Sequence, residues 1–174
     1  EIYDEALHSK KNFYLNNIFN HEDEVEKIFG RIVKPLIKSA FDEGLQHTLV
    51  LYEPTTPAYS MSLLGLGESN LPIEETLLYF SIKHILNMAS SRRDLNTQLQ
   101  VSLAAVYKKK CVDLFNKGNL LDAPLGYNIE NLSQIEPLIH FCRGQLKTFY
   151  KYQHLCLSLF YKNTIVKDGK EEVL

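Results

Sequence analysis

The sequence predicts a single layered α/β domain in which helices cover a largely parallel or mixed sheet. Two observations predict this class. Strand-like and helix-like patterns of apolar residues alternate along the chain, the order typical of a sheet covered by helices. The chain has 174 residues, of which 45% are hydrophobic and 23% charged, so its length and composition suit one globular domain with a sizeable core.

The first predicted elements are a short strand and a long helix. The stretch KNFYLNNIF (11–19) is rich in aromatic residues and predicts the strand. The helix follows, with Asn20 as its N-cap and Gly44 just past its end. Pro35 lies inside this helix and is expected to kink it. Apolar residues recur every three or four positions along the helix: Val25, Ile28, Phe29, Ile32, Val33, Leu36, Ile37, Ala40 and Phe41.

The middle of the chain predicts a buried strand, a turn and a second helix. The run TLVLY (48–52) is almost continuously apolar, as expected of a strand covered on both faces. The turn EPTTPA (53–58) comes next. The second helix is predicted to begin at Pro72 and to run to about Ala89, because proline is favoured at the first helical position.

The last third predicts two strands with a helix between them. Residues 97–105 alternate polar and apolar side chains, which indicates a strand of period two. A third helix is predicted to begin at Ser133, with Glu136 completing a capping box. A final strand is predicted over residues 153–162, where the alternation returns.

The totals exclude several classes of protein. A formal net charge of −2 provides no overall basic field, which disfavours a dedicated nucleic-acid binder. The three cysteines have no CxxC spacing, so they predict reduced thiols rather than a disulfide framework. No stretch approaches 18 consecutive apolar residues, and no basic leader precedes an apolar run, so we expect an intracellular protein without a membrane partner.

Two pairs of residues have spacing that resembles a metal site: His140 with Cys142, and His154 with Cys156. Residues two apart on a helix point to different sides, so only the pair on the predicted strand could converge on one ion. We therefore predict no metal site.

The turn at 53–58 stands where a phosphate-binding loop would lie, beyond the carboxyl end of a strand. Such a loop needs glycines, so that backbone N–H groups can approach the phosphates, and a lysine for the terminal phosphates. The residues here are Glu53, Pro54, Thr55, Thr56, Pro57 and Ala58. The prolines remove two N–H donors, and the glutamate places a negative charge that costs about 4 kcal/mol beside a phosphate. We predict that no nucleotide binds here.

Basic residues cluster at two places, Arg92 with Arg93 and the run Lys108, Lys109 and Lys110. The simpler interpretation is a solvated edge of the domain. The functional interpretation is contact with an acidic polymer surface.

Several segments together resemble the kinesin motor domain. Kinesins carry a helix that ends in a VxPLVxSALDG-like run and then a strand that enters IFAYGQTGSGKTYTM. This chain has IVKPLIKSAFDEG (32–44) and TLVLYEPTTPAYSM (48–61). Further on, LPIEETLLYFSIKHI (71–85) is similar to IPRTVxxLFxxI, and QVSLAAVYKKKCVDLFN (100–116) is similar to xVSFLEIYNExVYDLL. One ordered alignment holds over roughly residues 13–160.

The chain departs from kinesins at both nucleotide contacts. Its loop has lost the glycines and the lysine, and KTFYKYQH (147–154) replaces the NxxSSRSH switch that senses the γ-phosphate, keeping only His154. The chain thereby resembles the non-catalytic motor-homology domains of yeast subunits that pair with C-terminal-motor, minus-end-directed kinesins. Those domains are similar in fold to a motor, bind no nucleotide, and bind microtubules beside a catalytic partner.

The resemblance implies a partial motor-homology domain over residues 1–174, incomplete at both ends. It implies no catalytic residue and no cofactor. It implies binding to microtubules, through Lys108 to Lys110 and Arg92 and Arg93 as candidate contacts, and pairing with a catalytic kinesin subunit through a coiled coil outside this chain. It also implies a cytoplasmic or nuclear location on the cytoskeleton and spindle. Two alternatives stay open: a divergent P-loop NTPase, and a purely structural scaffold that never contacts tubulin.

Overall fold

The structure is a computed structural model, and it describes residues 2–4, 9–11, 15–19, 23–47, 49, 63–65, 71–92, 96–107, 110–115, 126–148, 154–167 and 170–173. The strands described are β1 (Ile2–Asp4), β2 (Ser9–Lys11), β3 (Asn96–Tyr107), β4 (Lys110–Asp113), β5 (Tyr127–Ile129), β6 (His154–Lys167) and β7 (Lys170–Val173). The α-helices described are α1 (Val25–Ile28), α2 (Lys34–Glu43), α3 (Leu77–Ser91) and α4 (Ile135–Thr148).

A sheet built around β3 organises the domain. Its strand order is β4-β3-β6-β7, β5 pairs with β3, and β1 and β2 form a separate pair. Every pairing among the described strands is antiparallel. The expected largely parallel or mixed sheet is therefore wrong for this part of the chain. The long ladder joins β3 to β6, two strands that the sequence predicts with a helix between them; an intervening helix favours a parallel crossover, but the structure pairs these strands antiparallel.

The first long helix is built from three segments. After α1, residues Phe29–Val33 form a π-helical turn, and α2 then begins with Pro35 in its first turn. Pro35 has no N–H to donate within this run, and the turn directly before it is π-helical, not α-helical. The kink predicted at Pro35 stays a prediction. Gly44 ends the helix in a left-handed conformation with φ of 69°, as predicted.

The start of this helix differs from the prediction. Its N-cap is Glu24, and the proposed cap at Asn20 lies outside the described residues. Residues 15–19 have no regular secondary structure, so the predicted strand over 11–19 is wrong there; of the residues described in this stretch, only Lys11 belongs to a strand. Of the strand predicted over 48–52, Leu49 alone is described, and it is half-exposed.

The second and third helices have caps other than the predicted ones. Thr76 caps α3, since its hydroxyl accepts a hydrogen bond from the Tyr79 N–H at 3.2 Å, and a 3₁₀ turn separates it from Pro72. Ahead of α4, Asn131 and Gln134 form the capping box, not Ser133 and Glu136. Each helix needs a 3₁₀ turn to join its α-helical part to the preceding chain, and hydrophobic periodicity does not record such turns.

The hydrophobic core lies between one face of the sheet and the helices. Ser102 and Ala104 on the other face of β3 are buried as well, so exposure alternates only near the start of the strand, over residues 96–100. To the core β3 contributes Leu99, Val101, Leu103 and Ala105, all nearly inaccessible. Leu77, Leu78, Ile82 and Ile85 of α3 and Ile135, Ile139 and Cys142 of α4 pack against them. Phe29 of the π-helical turn stacks on Phe80 of α3 with 5.5 Å between ring centroids. The helices are thereby held on the sheet as one layer.

Among the described residues, no helix is long and apolar enough to cross a membrane.

Candidate functional site at the Arg143 junction

The predicted nucleotide-loop positions lie outside the described residues: Glu53, Pro54, Thr55, Thr56, Pro57 and Ala58. The same is true of Arg93, Lys108 and Lys109. Lys110 begins β4 and pairs with Tyr107 at the end of the β3–β4 ladder. Parts of the chain that flank these positions are described, among them residues 63–65, α3 and α4.

Arg92 ends α3 and is held by the end of α2. Its Nη2 forms an ion pair with Oδ1 of Asp42, and its guanidinium lies 5.3 Å from the centroid of the Phe41 ring. Phe41 is buried and in turn packs against Tyr161 of β6. The Arg92 side chain therefore joins two helices, although it remains 44% exposed.

A second arginine, Arg143 of α4, is buried with only 8% of its surface exposed. Its Nε donates to the carbonyl oxygen of Leu64 at 2.6 Å, and its Nη2 donates to the carbonyl oxygen of Leu71 at 2.8 Å. The Leu71 N–H donates to the carbonyl oxygen of Gly65 at 3.0 Å. We call Arg143, Leu64, Gly65 and Leu71 the Arg143 junction. It joins α4 to the two ends of the segment from residue 65 to residue 71.

Gly65 is required at this junction for two independent reasons. Its φ of 68° lies in the left-handed region that side chains disfavour. A Cβ at this position would meet Nη2 of Arg143, and it would lie 3.0 Å from Cβ of Leu71 and 3.1 Å from Cγ2 of Thr76. The close approach of the guanidinium to the backbone thus depends on the absence of a side chain.

Arg143 is a buried cation, and no carboxylate among the described residues is bonded to it. Burial lowers the pKa of Arg143, and the negative charge of Glu74 acts against this shift. A guanidinium stays protonated in proteins, so the site keeps its positive charge and spreads it over backbone carbonyl oxygens. Carbonyl acceptors fix the geometry of the guanidinium without neutralising it.

The junction lies close in the sequence to the two segments where a motor would contact its nucleotide. Leu64 follows the loop at 53–58 by a few residues, and α4 runs directly into KTFYKYQH (147–154). The contacts of Arg143 therefore join the segment after the first to the helix before the second. The described part of this arrangement can hold two segments in place, but it offers neither a nucleophile nor a base.

Arg143 was not predicted as a site residue, although its spacing in the helix indicates that it is buried. Ile135, Ile139 and Arg143 follow one another at four-residue steps, so the arginine occupies an apolar row of the helix. A charged residue in such a row is almost never buried unless it has partners. Its backbone acceptors, 72 and 79 positions earlier in the chain, leave no trace in the sequence.

Among the described residues, no group of three or more His, Cys, Asp or Glu side chains is placed to hold a metal ion. The absence of a metal site stays a prediction. His140 is exposed and lies 3.8 Å from Glu136, whereas Cys142 is buried. The Cys142 Sγ lies 3.9 Å from the carbonyl oxygen of Leu114, and burial raises the pKa of this thiol to about 12. The two members of this pair therefore face different surroundings.

A shallow groove of about 130 Å³ lies on the outer face of the sheet. It is lined by Gln98, Gln100, Phe160, Tyr161 and Lys162. Ligand pockets usually enclose about 300 to 1,000 Å³. This groove is therefore too small to be a nucleotide site.

Comparison with known proteins identifies the relatives of this fold. The family model of the kinesin motor domain matches residues 2–141. Among solved structures, the chain is similar to that of a fast kinesin, described with implications for its ATPase mechanism and its interactions with microtubules; the TM-score is 0.72 and the identity 14%. The match covers 92% of this chain and 51% of that one, so the chain spans about half its length. No curated protein matches. The fold expected from the resemblance is confirmed.

Proposed function

The chain belongs to the kinesin motor domain family, and we propose that it acts as a non-catalytic microtubule-binding module, the partner subunit of a heterodimeric minus-end-directed motor. In this role it holds the filament while a catalytic subunit, paired through a coiled coil outside this chain, turns over ATP. The chain itself binds no nucleotide and needs no cofactor.

The observation that carries the proposal is the sequence of the loop at 53–58. A member of this family would need glycines and a lysine there to bind ATP, and EPTTPA has neither. Each charge-assisted hydrogen bond lost from such a loop forfeits about 1.5 to 3 kcal/mol. Loss of several such bonds, together with the added charge of Glu53, leaves too little binding free energy for ATP at millimolar concentration.

The segment KTFYKYQH (147–154) supports the same conclusion independently. It stands where the γ-phosphate sensor of a motor is expected, and only His154 remains of that motif. A site that had lost one contact could still bind weakly. Loss of both contacts favours a domain that has no use for the nucleotide.

The Arg143 junction adds a physical reason why the domain can keep its fold without a nucleotide. The carbonyl oxygens of Leu64 and Leu71 are bound by a side chain of the protein itself. The chain after the degenerate loop is thus held to α4 by contacts that need no ligand. A domain fixed in this way suits a tether better than a motor that must change shape with each ATP.

Contact with the filament is proposed at Lys108, Lys109 and Lys110, near the end of the β3–β4 ladder. Three adjacent ammonium groups suit an acidic surface, and their contribution falls as salt screens it. Arg92 is a weaker candidate than the lysines, because Asp42 already neutralises its charge.

The test is a pair of binding measurements on the chain. A titration with fluorescent ATP and Mg²⁺ is expected to show no saturable binding below about 1 mM, which corresponds to about 4.1 kcal/mol. Co-pelleting with microtubules is expected at low salt and is expected to weaken as salt rises. Saturable ATP binding would favour a divergent NTPase, and no pelleting at low salt would favour a scaffold without tubulin contact.

Matched variants locate the contact. Replacement of Lys108, Lys109 and Lys110 by glutamine removes three charges from adjacent positions in the sequence. A control triple replaces Lys27, Lys83 and Lys162, which are exposed and lie on three different elements, so that the net charge changes equally. The first triple is expected to weaken pelleting and the control to leave it close to wild type. Equal loss in both triples would mean that overall charge, not this cluster, controls binding.

A further inference from the structure

The solvent-exposed side of the α1–α2 helix carries a row of cations. Lys27, Arg31, Lys34 and Lys38 are separated by four, three and four residues, and all are exposed. Residues at these spacings lie on one side of a regular α-helix. The row passes through the π-helical turn Phe29–Val33, where each turn contains more residues, so its members share the exposed surface of the helix without forming one straight line. We call this row the basic face; from its first to its last residue it extends about 16 Å along the helix.

Most of the positive charge of the basic face is uncompensated within the described residues. Lys27 forms an ion pair with Asp23, but Arg31, Lys34 and Lys38 have no carboxylate partner there. The acidic residue nearest the far end of the row, Asp42, is paired with Arg92. The helix therefore presents three adjacent cations to solvent, in a chain whose formal net charge is −2.

This arrangement works against the stability of the helix. Like charges three or four positions apart repel each other, whereas alternating acids and bases at the same spacing would attract. The opposite side of the helix is fixed by the buried residues Phe29, Val33 and Phe41, so the cations cannot turn inward. The repulsion also reaches a neighbouring element: burial and then the charge of Lys34 lower the pKa of His84 on α3. A row of this kind is stabilised when negative charges bind to it.

We propose that the basic face binds an extended acidic segment of a partner polypeptide. Its length corresponds to about five residues of extended chain, so a short run of carboxylates can pair with successive cations. The proposal goes beyond the filament contact at Lys108 to Lys110, because the basic face lies on a different element of the domain. A polypeptide fits better than a nucleic acid, since no described exposed aromatic side chain lies between these cations to stack on a base.

The test uses a fluorescein-labelled peptide of about eight glutamates, long enough to span the row, and measures fluorescence anisotropy without microtubules. A triple variant, Arg31→Gln, Lys34→Gln and Lys38→Gln, is expected to bind the peptide about tenfold more weakly, the combined effect of three exposed ion pairs. A control triple, Lys83→Gln, Lys162→Gln and Lys170→Gln, changes the charge equally at residues spread over α3, β6 and β7, and it is expected to stay within about threefold of wild type. A matching peptide of glutamines is expected not to bind.

Three results would overturn the proposal: no binding of the acidic peptide at low salt, equal losses in the two triple variants, or tighter binding of a single-stranded oligonucleotide than of the peptide. Circular dichroism of each variant checks that the helix content is retained. The outcome is separate from that of the proposed function. A chain that binds the peptide but does not pellet with microtubules refutes the microtubule role alone, and the reverse result refutes the basic-face proposal alone.

Discussion

The Nε of Arg143 donates a hydrogen bond to the carbonyl oxygen of Leu64 at 2.6 Å, across 79 positions of the chain. This bond places a buried cation of α4 against the segment that follows the loop at 53–58. The same guanidinium reaches Leu71 through Nη2, so one side chain satisfies two backbone carbonyl groups. Such a contact is expected to contribute to stability and to keep the two segments in one arrangement.

Replacement of Arg143 by methionine is expected to lower the free energy of unfolding by about 2 kcal/mol. The methionine fills much of the volume but leaves the two carbonyl oxygens without donors, at a cost that outweighs the relief of a buried charge. Urea unfolding followed by circular dichroism measures the change. The matched control is Arg31→Met on an exposed helical position, for which we expect a change below about 0.5 kcal/mol. An Arg143→Met variant as stable as wild type would show that the junction is dispensable.

Substitution of two glycines separates backbone strain from steric conflict. Gly44 and Gly65 have nearly equal φ values of 69° and 68°, but an added Cβ meets nothing within 4 Å at Gly44 and meets Arg143, Leu71 and Thr76 at Gly65. Gly44→Ala is expected to cost about 1 kcal/mol from the left-handed conformation alone. Gly65→Ala is expected to cost at least about 2 kcal/mol more, because the guanidinium must move. Equal losses by thermal or urea unfolding would contradict the close approach of Arg143 to Gly65.

The Arg92–Asp42 ion pair is expected to couple the ends of α3 and α2 weakly. Both side chains are partly exposed, 44% and 28%, so solvent screens the pair. A double-mutant cycle with Arg92→Ala and Asp42→Ala is expected to give a coupling of about 0.3 to 1 kcal/mol at low salt, and less at high salt. Zero coupling at low salt would mean that Arg92 is free, and it would restore Arg92 as a candidate for filament contact.

Cys142 is expected to make stability depend on pH in alkaline solution. Burial, followed by the charge of Asp113, raises the pKa of this thiol from 9.0 to about 12. Below pH 9 the thiol is protonated in both states, so its contribution to the unfolding free energy is complete. As the pH rises from 9 towards 12, the unfolded chain releases the proton before the folded chain does, and the unfolding free energy falls. Between pH 8 and pH 10, the wild type is expected to lose about 1.4 kcal/mol more unfolding free energy than Cys142→Ala. Parallel pH profiles for the two proteins would contradict this burial.

Sequence patterns were most informative where one periodicity extended over many residues. The alternation from 97 to 105 identified β3, and the apolar steps from Val25 to Phe41 identified the long helix. The strands β4, β5 and β7 are three or four residues long, too short to establish a period. The antiparallel pairing is already set by the long ladder between β3 and β6. The order of strands and helices does not record strand direction, so it favoured the wrong sheet for the described strands.

The site was predicted less completely than the fold, for a physical reason. Loss of glycine and lysine in a loop can be read directly from residues 53–58, because that chemistry requires particular residue types. The Arg143 junction depends on backbone carbonyl groups, which every residue has, so Leu64 and Leu71 could not be identified from their side chains. Arg92 shows the converse case: its charge suggested a free basic cluster, and its ion pair with Asp42 appears only in the folded chain.

Co-pelleting of this chain with microtubules at low salt, carried out in parallel with no nucleotide, with Mg-ADP and with Mg-ATP, tests the central claim most directly. The proposed non-catalytic module is expected to pellet to the same extent in all three conditions, because its affinity for the filament does not depend on a bound nucleotide. Failure to pellet in any of them, or an affinity that changes between Mg-ADP and Mg-ATP, would contradict it.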